Sequence, residues 1–289
     1  MPEILLHTLV DTLKIVPFLF LTYLFMEFLE HKSGDLATNM LKASGRIGPL
    51  AGSLLGAFPQ CGFSAAAVGL YTGRIITTGT LLAIWLSTSD EMLPILISGG
   101  APLALIVKIV IFKIAVGMVA GFALDLVSFV IRKRKNSTAN APCIEEFCER
   151  EGCRCNEHFF ISALRHTVSI TIFVLFFTLV LNLIIHGVGE DKLATLVLDR
   201  KILGNLLAGM VGLIPNCAAS IVLTDLYLDG IISIGSMLSG LLVGAGVGVA
   251  LLFRNNRPLL DSVRIVALLW CIGAAMGIIV DLTFIGSLF

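Results

Sequence analysis

Phe58-Pro59-Gln60-Cys61-Gly62-Phe63-Ser64 in the first half of the chain and Ile214-Pro215-Asn216-Cys217-Ala218-Ala219-Ser220 in the second carry the same unusual pattern. A proline, a side-chain amide and a thiol have no ordinary packing role inside apolar sequence. Each copy is therefore expected to mark a helix broken at membrane depth, where freed backbone groups line a cavity. Two short apolar pieces flank each motif, at about 47–58 with 62–73 and about 203–214 with 218–229. At about 1.5 Å per residue, each piece covers little more than half of a hydrocarbon core. The pairs read as re-entrant hairpins, or as strongly tilted broken helices, with the motifs at their tips.

Composition fixes the solvent. Of the 289 residues, 57% are hydrophobic and only 14% charged, and the mean hydropathy is +0.97. That is far from the mixture of a soluble domain and indicates an all-α integral membrane protein with lipid as its first partner. The formal net charge is zero, so nothing in the balance points to nucleic acid. Met1-Pro2-Glu3 has no basic leader and no small-residue cleavage pattern follows, so the first apolar segment is expected to persist in the mature chain. Longer apolar runs begin near Leu5 and end near Leu29, then recur at about 75–98, 103–131, 159–186, 231–253 and 262–285. Counting every piece gives ten segments, five per half.

The halves align without a gap over a long stretch at a constant offset of 156 positions, with His7-Thr8 and His166-Thr167 agreeing at a slightly different one. Pro59 meets Pro215, Cys61 meets Cys217, Ser64 meets Ser220, Leu70-Tyr71 meets Leu226-Tyr227, Gly79 meets Gly235, and Asp125-Leu126 meets Asp281-Leu282. This is a duplicated unit. An odd number of crossings per copy inserts the second upside down, the inverted-repeat plan of many secondary transporters. The expected divisions are a first membrane repeat over 1–131, a Cys-rich linker over 132–158 and a second repeat over 159–289. Arg132-Lys133-Arg134-Lys135 places the linker in the cytoplasm and both termini outside, with Lys32, Lys42, Arg46, Arg74, Arg254, Arg257 and Arg264 on the inner side.

The motif chemistry suits a metal or metalloid ion. Mid-membrane prolines at 59 and 215 free backbone carbonyls, and Gln60 and Asn216 add amide oxygens. Cys61 and Cys217 add thiols, soft ligands for copper, zinc or trivalent arsenic, whereas the oxygens suit harder ions such as manganese. Each thiol can also be read as a small buried hydrophobe. The expected substrate contacts are Gln60, Cys61, Ser64, Asn216, Cys217, Ser220 and Ser89.

Ser87-Thr88-Ser89-Asp90-Glu91-Met92-Leu93-Pro94 is the second constellation. Asp90 and Glu91 read either as intramembrane acids that ligate the ion and carry its coupling charge, or as a capped outer loop. The second half offers only the glycines Gly240, Gly244 and Gly248 there, so the expected site is asymmetric. Asp225 is a further coupling candidate, one that could instead lie at the surface beside Asp229. Asp125 and Asp281 read as capping or interhelical groups, and Lys108 and Lys113 as snorkelling or interhelical ones. In the linker, Cys148, Cys153, Cys155 and His158 form a candidate metal cluster together with Cys143, or are incidental to a solvated segment.

At these residues the chain resembles the bacterial family described as ten-helix heavy-metal exporters, also labelled manganese transporters, and more distantly the arsenical permeases. The likeness rests on the Pro-Gln-Cys-Gly stretch running to Gly79, on Leu-Ser-Thr-Ser-Asp-Glu-Met-Leu-Pro-Ile, and on Ile214-Pro-Asn-Cys-Ala-Ala-Ser. It implies export of a metal or metalloid ion across a bacterial plasma membrane, with no resident cofactor and with proton coupling as an option. Only His158 stands in the linker where the resemblance implies several histidines. A homodimer is left open. No phosphate-binding loop is present, which counts against ATP coupling within the chain. The five histidines fall at segment edges or in loops, which counts against an intramembrane enzyme. A passive channel or a metal-sensing receptor remains as the alternative of another class.

Overall fold

The computed structural model describes residues 47–57, 61–89, 92–134, 201–216, 218–256 and 258–283, with scattered positions between 16 and 24 and between 164 and 179. Among these residues the chain is all helical, with no strand. The first half holds α1 (Ile47–Gly56), α2 (Cys61–Thr72), α3 (Thr78–Ser87), α4 (Met92–Ser98) and α5 (Leu103–Arg134). The second half holds α6 (Lys201–Gly212), α7 (Ala218–Leu228), α8 (Ile234–Val243), α9 (Val247–Asn255) and α10 (Leu259–Leu282). Element for element, the second set repeats the first at the offset read from the sequence.

Four helical stretches are long and apolar enough to cross a membrane: Thr78–Ser98, Leu103–Val130, Ile234–Asn255 and Leu259–Leu282. They divide by burial. The α3–α4 and α8–α9 stretches are 75% and 89% buried, whereas α5 and α10 are each 33% buried. The interrupted helices therefore form the centre, and the two long continuous ones flank it with apolar side chains such as Ile111, Val119, Leu260 and Val263 exposed. A helix apolar on every face suits lipid outside and protein inside.

A pair of matching clamps fixes each flanking helix to its interrupted neighbour. Asp125 of α5 accepts from Thr77 Oγ1 at 2.7 Å and from Gly79 N at 3.0 Å. Thr77 Oγ1 in turn accepts from Thr80 N at 3.1 Å, an N-cap of α3. In the second half Asp281 of α10 accepts from Ser233 Oγ at 2.7 Å and Gly235 N at 3.1 Å, while Ser233 caps Ser236 N at 3.1 Å. Each carboxylate satisfies an orphan helix N–H and faces the positive end of the helix dipole. The capping reading of these two aspartates matches the geometry.

The clamps need glycine beneath them. A Cβ on Gly79 would strike the Gly121 carbonyl and the Asp125 carboxylate, and one on Gly235 would strike the Gly277 carbonyl and Asp281. Small residues here let backbones approach closely, as they do where membrane helices cross.

The clamps and two further hydrogen bonds orient the halves. Tyr71 at the end of α2 donates to Asp261 Oδ2 in the first turn of α10 at 2.9 Å, and Thr78 Oγ1 donates to the Tyr71 hydroxyl at 3.4 Å. Asp261, the start of α3 and the Asp125 end of α5 thus share one end of the molecule. The second long helix begins where the first finishes. Arg74, Arg254 and Arg264 lie at this end, while the exposed Asp225 and Asp229 close α7 at the other.

The sequence pattern leaves one thing out. The run 231–253 reads as one span, yet it is interrupted at Gly244-Ala245-Gly246, where Gly246 has φ 51°. Glycine adopts that left-handed conformation without steric cost, so the second half breaks where the first does.

Candidate functional site

The centre is assembled from helix ends. Gly56 at the end of α1 packs against Ser87 and Ile84, and Gly212 at the end of α6 packs against Gly240, so α1 and α6 finish beside the last turns of α3 and α8. Gly248, one residue into α9, lies against the Ser64 carbonyl in the first turn of α2 and against Trp85 Nε1. Gly99, after the end of α4, packs on Leu228 at the end of α7, so those two helices also run side by side. N-terminal ends of α2 and α9 and C-terminal ends of α3 and α8 therefore point into the interior. Such ends present partial charges of both signs.

Lys113 joins the two breaks. It is 1% exposed, ten residues into α5, and its Nζ donates to the Thr88 carbonyl at the C-cap of α3. The same Nζ donates to Leu241 O in the last turn of α8 at 2.8 Å. Of the two readings the sequence allowed, the interhelical contact describes this lysine and snorkelling does not, while Lys108 is exposed. Its depth was the missed signal: about 15 Å of helix separates it from the end of α5, beyond the reach of its stem. An ionisable group at such depth is a functional candidate by default.

Near Lys113, hydroxyls take up several of the α3 carbonyls. Ser87 Oγ donates to Ala83 O at 2.8 Å and to Ile84 O at 3.0 Å, and Thr88 Oγ1 donates to Ile84 O at 2.8 Å. Ser89, 1% exposed, donates its hydroxyl to Ser87 O at 3.3 Å. Its oxygen keeps lone pairs for another donor or a cation.

The motif residues are placed in part. Cys61 opens α2, and Ser64, fully buried, offers its carbonyl to Trp85 Nε1 at 3.3 Å. Asn216 is 8% exposed, its N–H bonded to Ile214 O at 2.7 Å and its carbonyl accepting from Ala219 N at 3.3 Å, which ties the Pro-Asn turn into the start of α7. Ser220 is half-buried one turn on, with its carbonyl accepting from Thr224 Oγ1 at 2.7 Å. Asp225 is exposed near the far end of α7, away from the buried centre that could have claimed it. Gln60, Cys217, Asp90 and Glu91, the side chain of Cys61, and the linker residues Cys143, Cys148, Cys153, Cys155 and His158 lie outside the described residues. Among the described residues no three of His, Cys, Asp and Glu gather as a metal cluster.

Comparison with protein-family models, with curated proteins and with solved structures gave no match.

Proposed function

We propose that this chain is a secondary transporter that exports a transition-metal or metalloid ion, with manganese or another divalent heavy metal favoured, by alternating access across a bacterial plasma membrane. The observation that carries the reading is the pairing, among the described residues, of matching helix sets in which the second long helix starts where the first ends. Equivalent elements then face opposite ways, as inverted repeats do, and two interrupted helices meet at the centre. On this reading ten membrane segments form the two repeats, with linker inside and both termini outside. Gln60, Cys61, Asn216 and Cys217 converge as ligands, with Ser64, Ser89 and Ser220 beside them. Asp90 or Glu91 supplies charge compensation or proton coupling. The likeness to heavy-metal exporters in the motif residues supports the substrate class.

A metalloid permease is the second reading, favoured by the two motif thiols, which are soft ligands for trivalent arsenic. The two readings separate in one assay. Proteoliposomes are tested with manganese, zinc, cadmium, iron and arsenite, with and without a pH gradient. Flux of a divalent ion above the protein-free background supports the first reading, flux of arsenite alone supports the second, and no flux of any species refutes both.

A further inference from the structure

Lys113 does something the transport reading does not require. Two helix C-termini from different halves are aimed at one point, and the last carbonyls of a helix have no donors within it and carry partial negative charge. In α3 the Ser87 and Thr88 hydroxyls occupy the Ala83 and Ile84 carbonyls, which leaves Thr88 O to find another donor. In α8 the Gly244 N–H occupies Gly240 O, which leaves Leu241 O facing the same centre. Both oxygens reach a single nitrogen, Lys113 Nζ. Converging backbone carbonyls are what proteins use to replace the hydration shell of a small monovalent cation.

We propose that this junction is a monovalent-cation position which the chain fills with its own tethered ammonium. The position is single because the duplication is broken there: the counterpart of Lys113 at the constant offset is Leu269, which is fully buried in an apolar cluster. One cation per molecule, supplied by the first half and shared with the second, holds the two interrupted helices together. A chain so equipped has no need of sodium or potassium at the junction. The junction is the same whichever ion is carried.

The test is chemical rescue of the purified full-length protein in detergent, read as the thermal unfolding midpoint. Chloride salts of choline, sodium, potassium, ammonium and methylammonium are compared at equal ionic strength. Wild type is expected to give one midpoint in all of them. Lys113→Ala, which vacates the position, should unfold at a lower temperature in choline and recover at least half of the lost midpoint, saturably, in one of the small cations. Lys113→Arg, which keeps a tethered cation, should be insensitive to the salt. A flat response of Lys113→Ala overturns the proposal, as does loss of folding that no cation restores. A Lys113→Met variant as stable as wild type in choline overturns it as well, since the carbonyls would then need no cation. Because no transport is measured, absence of metal flux would sink the transport reading and leave this result standing.

Discussion

At their outer ends the two halves are copies. Asp125 and Asp281 make the same side-chain and backbone contacts to equivalent residues, within 0.1 Å of each other in length. At the centre they differ: Thr88-Ser89 aligns with Gly244-Ala245, and Lys113 with Leu269. The scaffold is thus duplicated, while the buried lysine that joins the two interrupted helices belongs to the first half alone.

The sharpest way to break the comparison is at the glycine crossings. Gly79→Leu and Gly235→Leu should each cost more than about 4 kcal/mol and leave no monodisperse protein in size-exclusion chromatography, because backbone rather than a flexible side chain blocks the new group. If one half tolerated leucine, the frame would not be symmetric.

Next come the clamps. Asp125→Ala should destabilise by about 3 kcal/mol in thermal unfolding, the sum of its charged hydrogen bonds less relaxation. Asp281 also accepts from Asn205 Nδ2 at 2.9 Å, and Asp281→Ala should likewise cost about 3 kcal/mol or more. A loss below about 1 kcal/mol in either variant would contradict the clamp.

Smaller effects separate the two ends of the molecule. Tyr71 donates to Asp261, which also accepts from Asn256 Nδ2 at 3.0 Å, whereas the counterpart pair is Tyr227 and Leu105. Tyr71→Phe should therefore cost about 1 kcal/mol, and Tyr227→Phe less than about 0.5. A reversed order would remove the one-sided bond from the picture.

The smallest effect is a gain. Arg74 sits at φ 57° where the second half has Gly230 at φ 71°. Arg74→Gly should raise stability by about 0.5–1 kcal/mol by relieving left-handed strain, offset in part by the added freedom of the unfolded chain. A loss in its place would show that the arginine side chain holds the turn.

Much of the frame was legible in the sequence because it is written in residue types with few alternatives. Glycines at 79, 121, 235 and 277, the two aspartates and the short apolar pairs around both Pro-amide-Cys motifs all recur at one spacing. The centre was less legible for physical reasons. Gly244 and Gly246 permit a break without announcing one, since glycine is equally at home where membrane helices cross. Lys113 carries no local sign of its partners, which come from Thr88 and Leu241, 25 and 128 positions away. Asp225 lies only five residues after Ser220, but helix direction carries it to the surface, which spacing alone does not convey.

The most direct measurement of the central claim is ion flux in proteoliposomes for wild type, Cys61→Ser/Cys217→Ser and Asp90→Asn, run side by side over the same set of ions. One shared centre predicts that the double thiol variant loses flux of the preferred ion by about tenfold or more, the cost of removing ligands from a metal site. It also predicts that Asp90→Asn loses its response to a pH gradient. Fluxes equal to wild type for every ion in both variants would contradict it.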